Sequence, residues 1–174
     1  MPKVDIAFDT YHTYDAMTAH LQALAKAHPK LCTLTSIAKS FRGRDVWFMT
    51  ITNPDTGPAL EKPGFYIDAQ IHAEEHATSA TALYACWYLL ENYGSDEEVT
   101  RLVDQQVFYI IPRINPDGAE NAMTAPYHPW CGNGRFLPGE DRLEGLIPQD
   151  INDDGYIVQM RVPDSKGEWK KDAQ

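Results

Sequence analysis

Residues 64–76 read Gly64-Phe-Tyr-Ile-Asp-Ala-Gln-Ile71-His72-Ala-Glu-Glu-His76. A run of apolar, strand-forming residues passes straight into a cluster of histidines and glutamates. From residue 78 an apolar-rich stretch reads as a helix to 92. A strand that enters a helix through a polar turn is an α/β unit. Its apolar strand makes a rigid floor for whatever the turn carries.

The pattern on either side agrees. Upstream, Tyr14, Met17, Leu21, Leu24 and Ala25 follow helical spacing, and Pro29 ends that helix, which spans 13–28. Strands are predicted over 33–38 and 45–53, with Ser40-Phe-Arg-Gly-Arg44 as the turn between them. Downstream, Ser95 and Glu98 read as a capping box opening a helix through Val103. Residues 106–112 form a fourth strand, almost wholly apolar and so expected inside the sheet, covered on both faces. The predicted class is α/β, a mixed, mostly central-parallel sheet with helices on both faces. At 174 residues the chain is read as a single domain. Segment 125–174 has five prolines, six glycines and no convincing helix, and is read as loop-rich.

Composition narrows the function. With 25 acidic residues against 15 basic ones the formal charge is −10. The bases form no patch or stripe, so no nucleic-acid partner and no anionic membrane surface is expected. No signal peptide or membrane-spanning stretch is seen, which makes a cytoplasmic protein the default. Cys32, Cys86 and Cys131 form no C-x-x-C and are read as reduced thiols. His12, His20 and His28, on or beside the first helix, are expected to be solvated. Ser36 and Ser79 lack a G-x-S-x-G setting, and no phosphate-binding glycine motif occurs.

The chemistry therefore rests on His72-Ala-Glu-Glu-His76. A catalytic zinc takes three converging protein ligands and keeps a fourth position open. Three readings of the motif stand. In the first it is an exposed helix start, with Glu74 and Glu75 favouring the helix dipole. In the second it is a helical H-x-x-E-H signature, with His72 and His76 as ligands and Glu75 as base. In the third, His72 and Glu75 are a ligand pair at a strand end, awaiting a distant histidine.

What surrounds the motif bears on the third reading. Tyr14 with its helix, Ser40-Phe-Arg-Gly-Arg44, the strand into His72-Ala-Glu-Glu75, and Arg113-Ile-Asn-Pro-Asp-Gly118 after a strand together resemble the zinc carboxypeptidase (metallocarboxypeptidase) family. The match in order and spacing runs from about Tyr11 to Gly118. The run from Gly145 to Asp164 is similar to an insertion in some bacterial members. The resemblance implies a truncated carboxypeptidase-like fold, a Zn2+ cofactor held by His72 and Glu75, a peptide substrate, and Asn115-Pro-Asp-Gly118 as a structural turn. It also implies elements this sequence does not show: a third histidine ligand, an Asn-Arg pair for the substrate carboxylate, and a glutamate base. After Glu75 the only histidines are His76 and His128, neither in the family's context. Arg135 is the nearest candidate for the family's oxyanion-stabilising arginine, against a plain surface role. The expectation is an N-terminal portion of a metallocarboxypeptidase that is inactive by itself. A free sheet edge should then promote self-association. The alternative is a non-catalytic binding module on the same fold.

One further motif is separate. Asp150-Ile-Asn152-Asp153-Asp154-Gly155 matches the opening of a calcium loop. Arg161 at the twelfth place and the missing flanking helices argue against an EF-hand. A looser Ca2+ loop through Asp150, Asn152 and Asp154 stands as the alternative to a plain Asx-type turn.

Overall fold

The computed structural model describes residues 1–124, 153–155 and 165–166. Helix α1 spans Tyr14–Ala27. Thr13 caps it, its side chain accepting from the Ala16 amide, a contact worth about 1 kcal/mol. Met17, Leu21 and Leu24 form its buried stripe. Strands β1, Cys32–Lys39, and β2, Asp45–Ile51, form an antiparallel hairpin. Gly43 supplies the positive φ at its turn. Strand β3 is Gly64–Asp68, helix α2 is His76–Asn92, α3 is Glu97–Gln105, and β4 is Val107–Ile111.

The strand order is β1-β2-β4-β3. The first two pairings are antiparallel and β3–β4 is parallel, so the sheet is mixed. Strand β4 lies inside it and four of its five residues are buried, as its apolar composition predicts. Met49 and Ile51 of β2 pair with Ile110 and Phe108 of β4. These four side chains meet Leu21, Leu24, Leu83, Cys86 and Leu90 in one core. The opposite face carries the stacked rings of Phe48 and Tyr109, with centroids 5.7 Å apart.

Four expectations change. Ser95 is not the cap of α3. Asp96 is, accepting from the amides of Glu98 and Val99, because a carboxylate one residue nearer reaches both. Asn115-Pro-Asp-Gly118 is not a free turn but the start of helix α4, Pro116–Thr124, with proline at the favoured first position. His28 is buried, not solvated: its Nε2 lies 3.0 Å from Oε1 of Glu91. His12 is buried as well, 4.7 Å from the ring of His20 and edge-on to it. Burial, then the charge of His12, holds the His20 imidazole below its ordinary range. Cys32 and Cys86 are buried free thiols, and burial pushes the Cys32 thiol up to about 11. Cys131 and His128 lie outside the described residues.

Two buried charge clusters fix α4 against the rest. Asp117 is 1% exposed and accepts from Ser40 Oγ, the Arg42 amide and Arg44 Nη1, at 2.9, 2.9 and 2.8 Å. Burial alone would raise its pKa. Arg44, the Arg42 amide and Ser40 outweigh that and lower it. Arg113 is also buried and donates to His12 O, Ser79 Oγ and Glu120 Oε1. Burial lowers its pKa to about 10.

Candidate metal centre

Strand β3 ends at Asp68, and the chain must then turn sharply to start α2 at His76. Gln70 makes the turn with φ of 56°, the left-handed region that side-chain-bearing residues seldom occupy. Hydrogen bonds hold it there. The Gln70 amide donates to Thr78 Oγ1, and Thr78 Oγ1 donates to Glu75 O. Gln70 Nε2 donates to Ala73 O at 3.1 Å and to His76 Nδ1 at 2.7 Å. The reverse amide orientation would set Oε1 against the Ala73 carbonyl, acceptor against acceptor. Since an amide nitrogen only donates, His76 Nδ1 is the acceptor of this bond. Asn115, at the start of α4, clamps the same turn from the side. Its Nδ2 donates to Ile71 O, next to His72, while its Oδ1 accepts from the Gly118 amide.

This scaffold brings His72 and Glu75 together. His72 Nδ1 and Glu75 Oε1 are 3.2 Å apart, and each side chain is a little under half exposed. Two donors each ~2.0–2.1 Å from a tetrahedral zinc lie about 3.3 Å from one another. The pair has the element types, spacing and access that zinc uses. Glu75 sits at the N-cap position of α2, yet its side chain makes no capping bond and points to His72 instead. Within the described residues no third His, Cys, Asp or Glu joins them.

Helix α2 begins only at His76, so His72 precedes it, and the helical H-x-x-E-H arrangement is not formed. Arg135, Asp150 and Asn152 lie outside the described residues. Asp154 is described and exposed, and among the described residues it joins no group of three or more metal-ligating side chains, so calcium is not supported. The sequence reading missed Gln70, Thr78 and Glu120. Their roles depend on partners between 3 and 106 residues away, and no local pattern marks them.

The sequence pattern of the family described as "Zinc carboxypeptidase" matches residues 17–145. The chain belongs to the zinc carboxypeptidase family. It is 30% identical over 126 residues to a "Zinc carboxypeptidase" of Saccharothrix mutabilis subsp. capreolus. It is 33% identical over 127 residues to carboxypeptidase M of Mus musculus. The matches cover 71% and 72% of this chain and 28% of each relative. The crystal structure of carboxypeptidase A from Helicoverpa armigera superposes with a TM-score of 0.60 at 29% identity, over 68% of this chain and 28% of that one. Thrombin-activatable fibrinolysis inhibitor shares the fold, with a TM-score of 0.62 at 21% identity over 67% of this chain and 28% of that one. The mixed α/β architecture is thus a carboxypeptidase fold, and the chain spans little more than a quarter of the length of these relatives. A peptidase lineage, with zinc as the family's metal, follows from the membership.

Proposed function

We propose that His72 and Glu75 are two ligands of a catalytic zinc in a metallocarboxypeptidase that hydrolyses C-terminal peptide bonds. One observation carries this reading: two zinc-type donors 3.2 Å apart on a turn whose backbone is pinned from three sides. Bound there, zinc would polarise the scissile carbonyl and lower the pKa of a water. The part of this chain is to hold the two donors in place. Gln70 and Asn115 fix the backbone on either side of His72, and Thr78 fixes Glu75. Among the described residues only these two donors meet, short of the three a catalytic zinc takes. These 174 residues alone are therefore expected not to turn over peptide.

Zinc titration of the chelator-stripped chain by calorimetry tests the assignment. The expected result is one weak site, lost in both His72→Ala and Glu75→Ala. Binding unchanged in both variants would overturn the pair as ligands. No binding in the parent chain would favour a non-catalytic module on this fold.

The sheet edge enters the same proposal. Among the described residues β3 pairs on one side only, and Phe65 and Tyr66 are 53% and 57% exposed. Such an edge recruits another strand. Light scattering should show concentration-dependent self-association, reduced by Tyr66→Lys. A monodisperse monomer at all concentrations would remove this part of the proposal.

A further inference from the structure

Beside the metal turn lies a hollow of about 500 Å3, open to solvent and lined by Tyr11, Glu74, His76, Ala122 and Met123. It is the size of a small-ligand site. Tyr11 comes from the segment before α1, Glu74 from the turn, His76 from the first position of α2, and the other two from α4. Its chemistry is uneven. Tyr11 is 54% exposed, and its ring lies 5.5 Å from the His76 imidazole at a tilt of 40°. Gln70 fixes the orientation of that imidazole. Ala122 and Met123 give an apolar wall that a thioether can reshape. Glu74 supplies the charge. Among the described residues, no lysine or arginine lines the hollow and Glu74 forms no ion pair.

A carboxylate and an aromatic ring lining one hollow are a setting for an organic cation. The ring attracts it through its quadrupole, and the carboxylate accepts its N–H groups. A chain of net charge −10 also draws cationic peptides towards itself. Glu74 and Glu75 are neighbours in the chain, with Cα atoms ~3.8 Å apart, so the hollow adjoins the turn that carries the metal pair. A terminal residue brings its own carboxylate, which Glu74 would repel. An internal residue does not.

We propose that this hollow seats a lysine or arginine side chain from the body of the peptide substrate, with Glu74 as charge partner and Tyr11 as the aromatic wall. The proposal rests on the carboxypeptidase reading above and names a substrate preference for it. The test uses the full 174-residue chain with zinc present. Two acetylated tetrapeptides, identical except for lysine or norleucine at the third residue, are titrated by calorimetry. The lysine peptide should bind about tenfold more tightly at low salt. Glu74→Gln should abolish the difference, Tyr11→Leu should shrink it about threefold, and 0.5 M salt, a condition chosen to screen exposed charges, should narrow it. Glu74→Lys should reverse the preference towards a glutamate peptide, which separates charge recognition from misfolding. Equal affinity of the two peptides, no binding of either, or a lysine preference that survives Glu74→Gln would each overturn the proposal. The zinc titration of His72→Ala is read independently. Lysine preference without zinc binding leaves this inference standing and removes the metal assignment, and zinc binding without lysine preference does the reverse.

Discussion

Asp117 and Glu75 are carboxylates on neighbouring parts of the same scaffold, and they are treated oppositely. Asp117 is sealed, with three donors on its two oxygens. Glu75 is close to half exposed, with its Oε1 3.2 Å from His72 Nδ1. A buried carboxylate survives only if its oxygens are satisfied, and once they are it fixes the elements that satisfy them. Asp117 thereby locks the β1–β2 turn to α4. That lock seats Asn115, which holds the carbonyl beside His72. The turn instead carries side chains that are each a little under half exposed. Rigidity sits one layer behind His72 and Glu75, the arrangement expected if the proposed pair is to bind a metal without first being rebuilt.

The largest effect expected from breaking this contrast is on the sealed side. Asp117→Ala leaves Arg44 and the Ser40–Arg42 turn without their acceptor and should cost about 3 kcal/mol, read from urea unfolding. Zinc affinity measured well below the unfolding midpoint should fall only modestly. A loss under about 0.5 kcal/mol would mean that water replaces the carboxylate and that the clamp does not organise α4.

Gln70 gives the complementary result. Gln70→Leu keeps the volume but removes both donors from the turn. It also removes Oε1, a buried acceptor with no partner among the described residues. The losses and the gain offset, so stability should change by less than about 1 kcal/mol. The turn loses its hold on Ala73 and His76, and zinc affinity should drop about tenfold, as for other residues that orient ligands from behind. If affinity is unchanged while stability falls, Gln70 belongs with Asp117 as scaffold.

The two sides of this comparison were unequally legible. The α1 stripe of Met17, Leu21 and Leu24 and the apolar run of β4 follow from periodicity, because burial there is set by local spacing. His72 and Glu75 stand out because their residue types are rare at a strand end. Asp117 looked like a turn residue, since its three partners come from about 75 residues earlier. His28 looked solvated for the same reason: its partner Glu91 is 63 residues away. Gln70 gave no signal, because a positive φ at a non-glycine residue is imposed by tertiary bonds. Ser95 lost the cap to Asp96 by one residue, a choice that side-chain reach makes and composition does not. Arg135 and the Asp150–Asn152 pair lie outside the described residues.

The smallest expected effect comes from a third carboxylate that combines the two cases. Glu91 on α2 accepts from His28 and from the amides of Lys3 and Val4, tying the start of the chain to the helix. Trp87 Nε1 donates to Val4 O, and Phe8 packs edge-on against Tyr84, so this strap is held at three points. Burial raises the pKa of Glu91, but the His28 bond and the two amides outweigh it, and the net shift is downward. A carboxylate lowered on folding contributes stability that is complete above its unfolded pKa and is lost as pH falls through the folded value. The loss should therefore begin as pH falls through the ordinary glutamate value, about 4.3, continue below it, and be absent at neutral pH. Amide hydrogen exchange at Lys3 and Val4, followed as the pH is lowered, should show these two protections failing before those of α2. The Lys3 amide donates to Oε2 and the Val4 amide to Oε1, so in Glu91→Gln only one of them keeps an oxygen acceptor; that amide's protection should lose its dependence on acid, and the other's should fall at every pH. If the protection of both wild-type amides stays unchanged as pH falls through the carboxylate range, Glu91 does not control the strap.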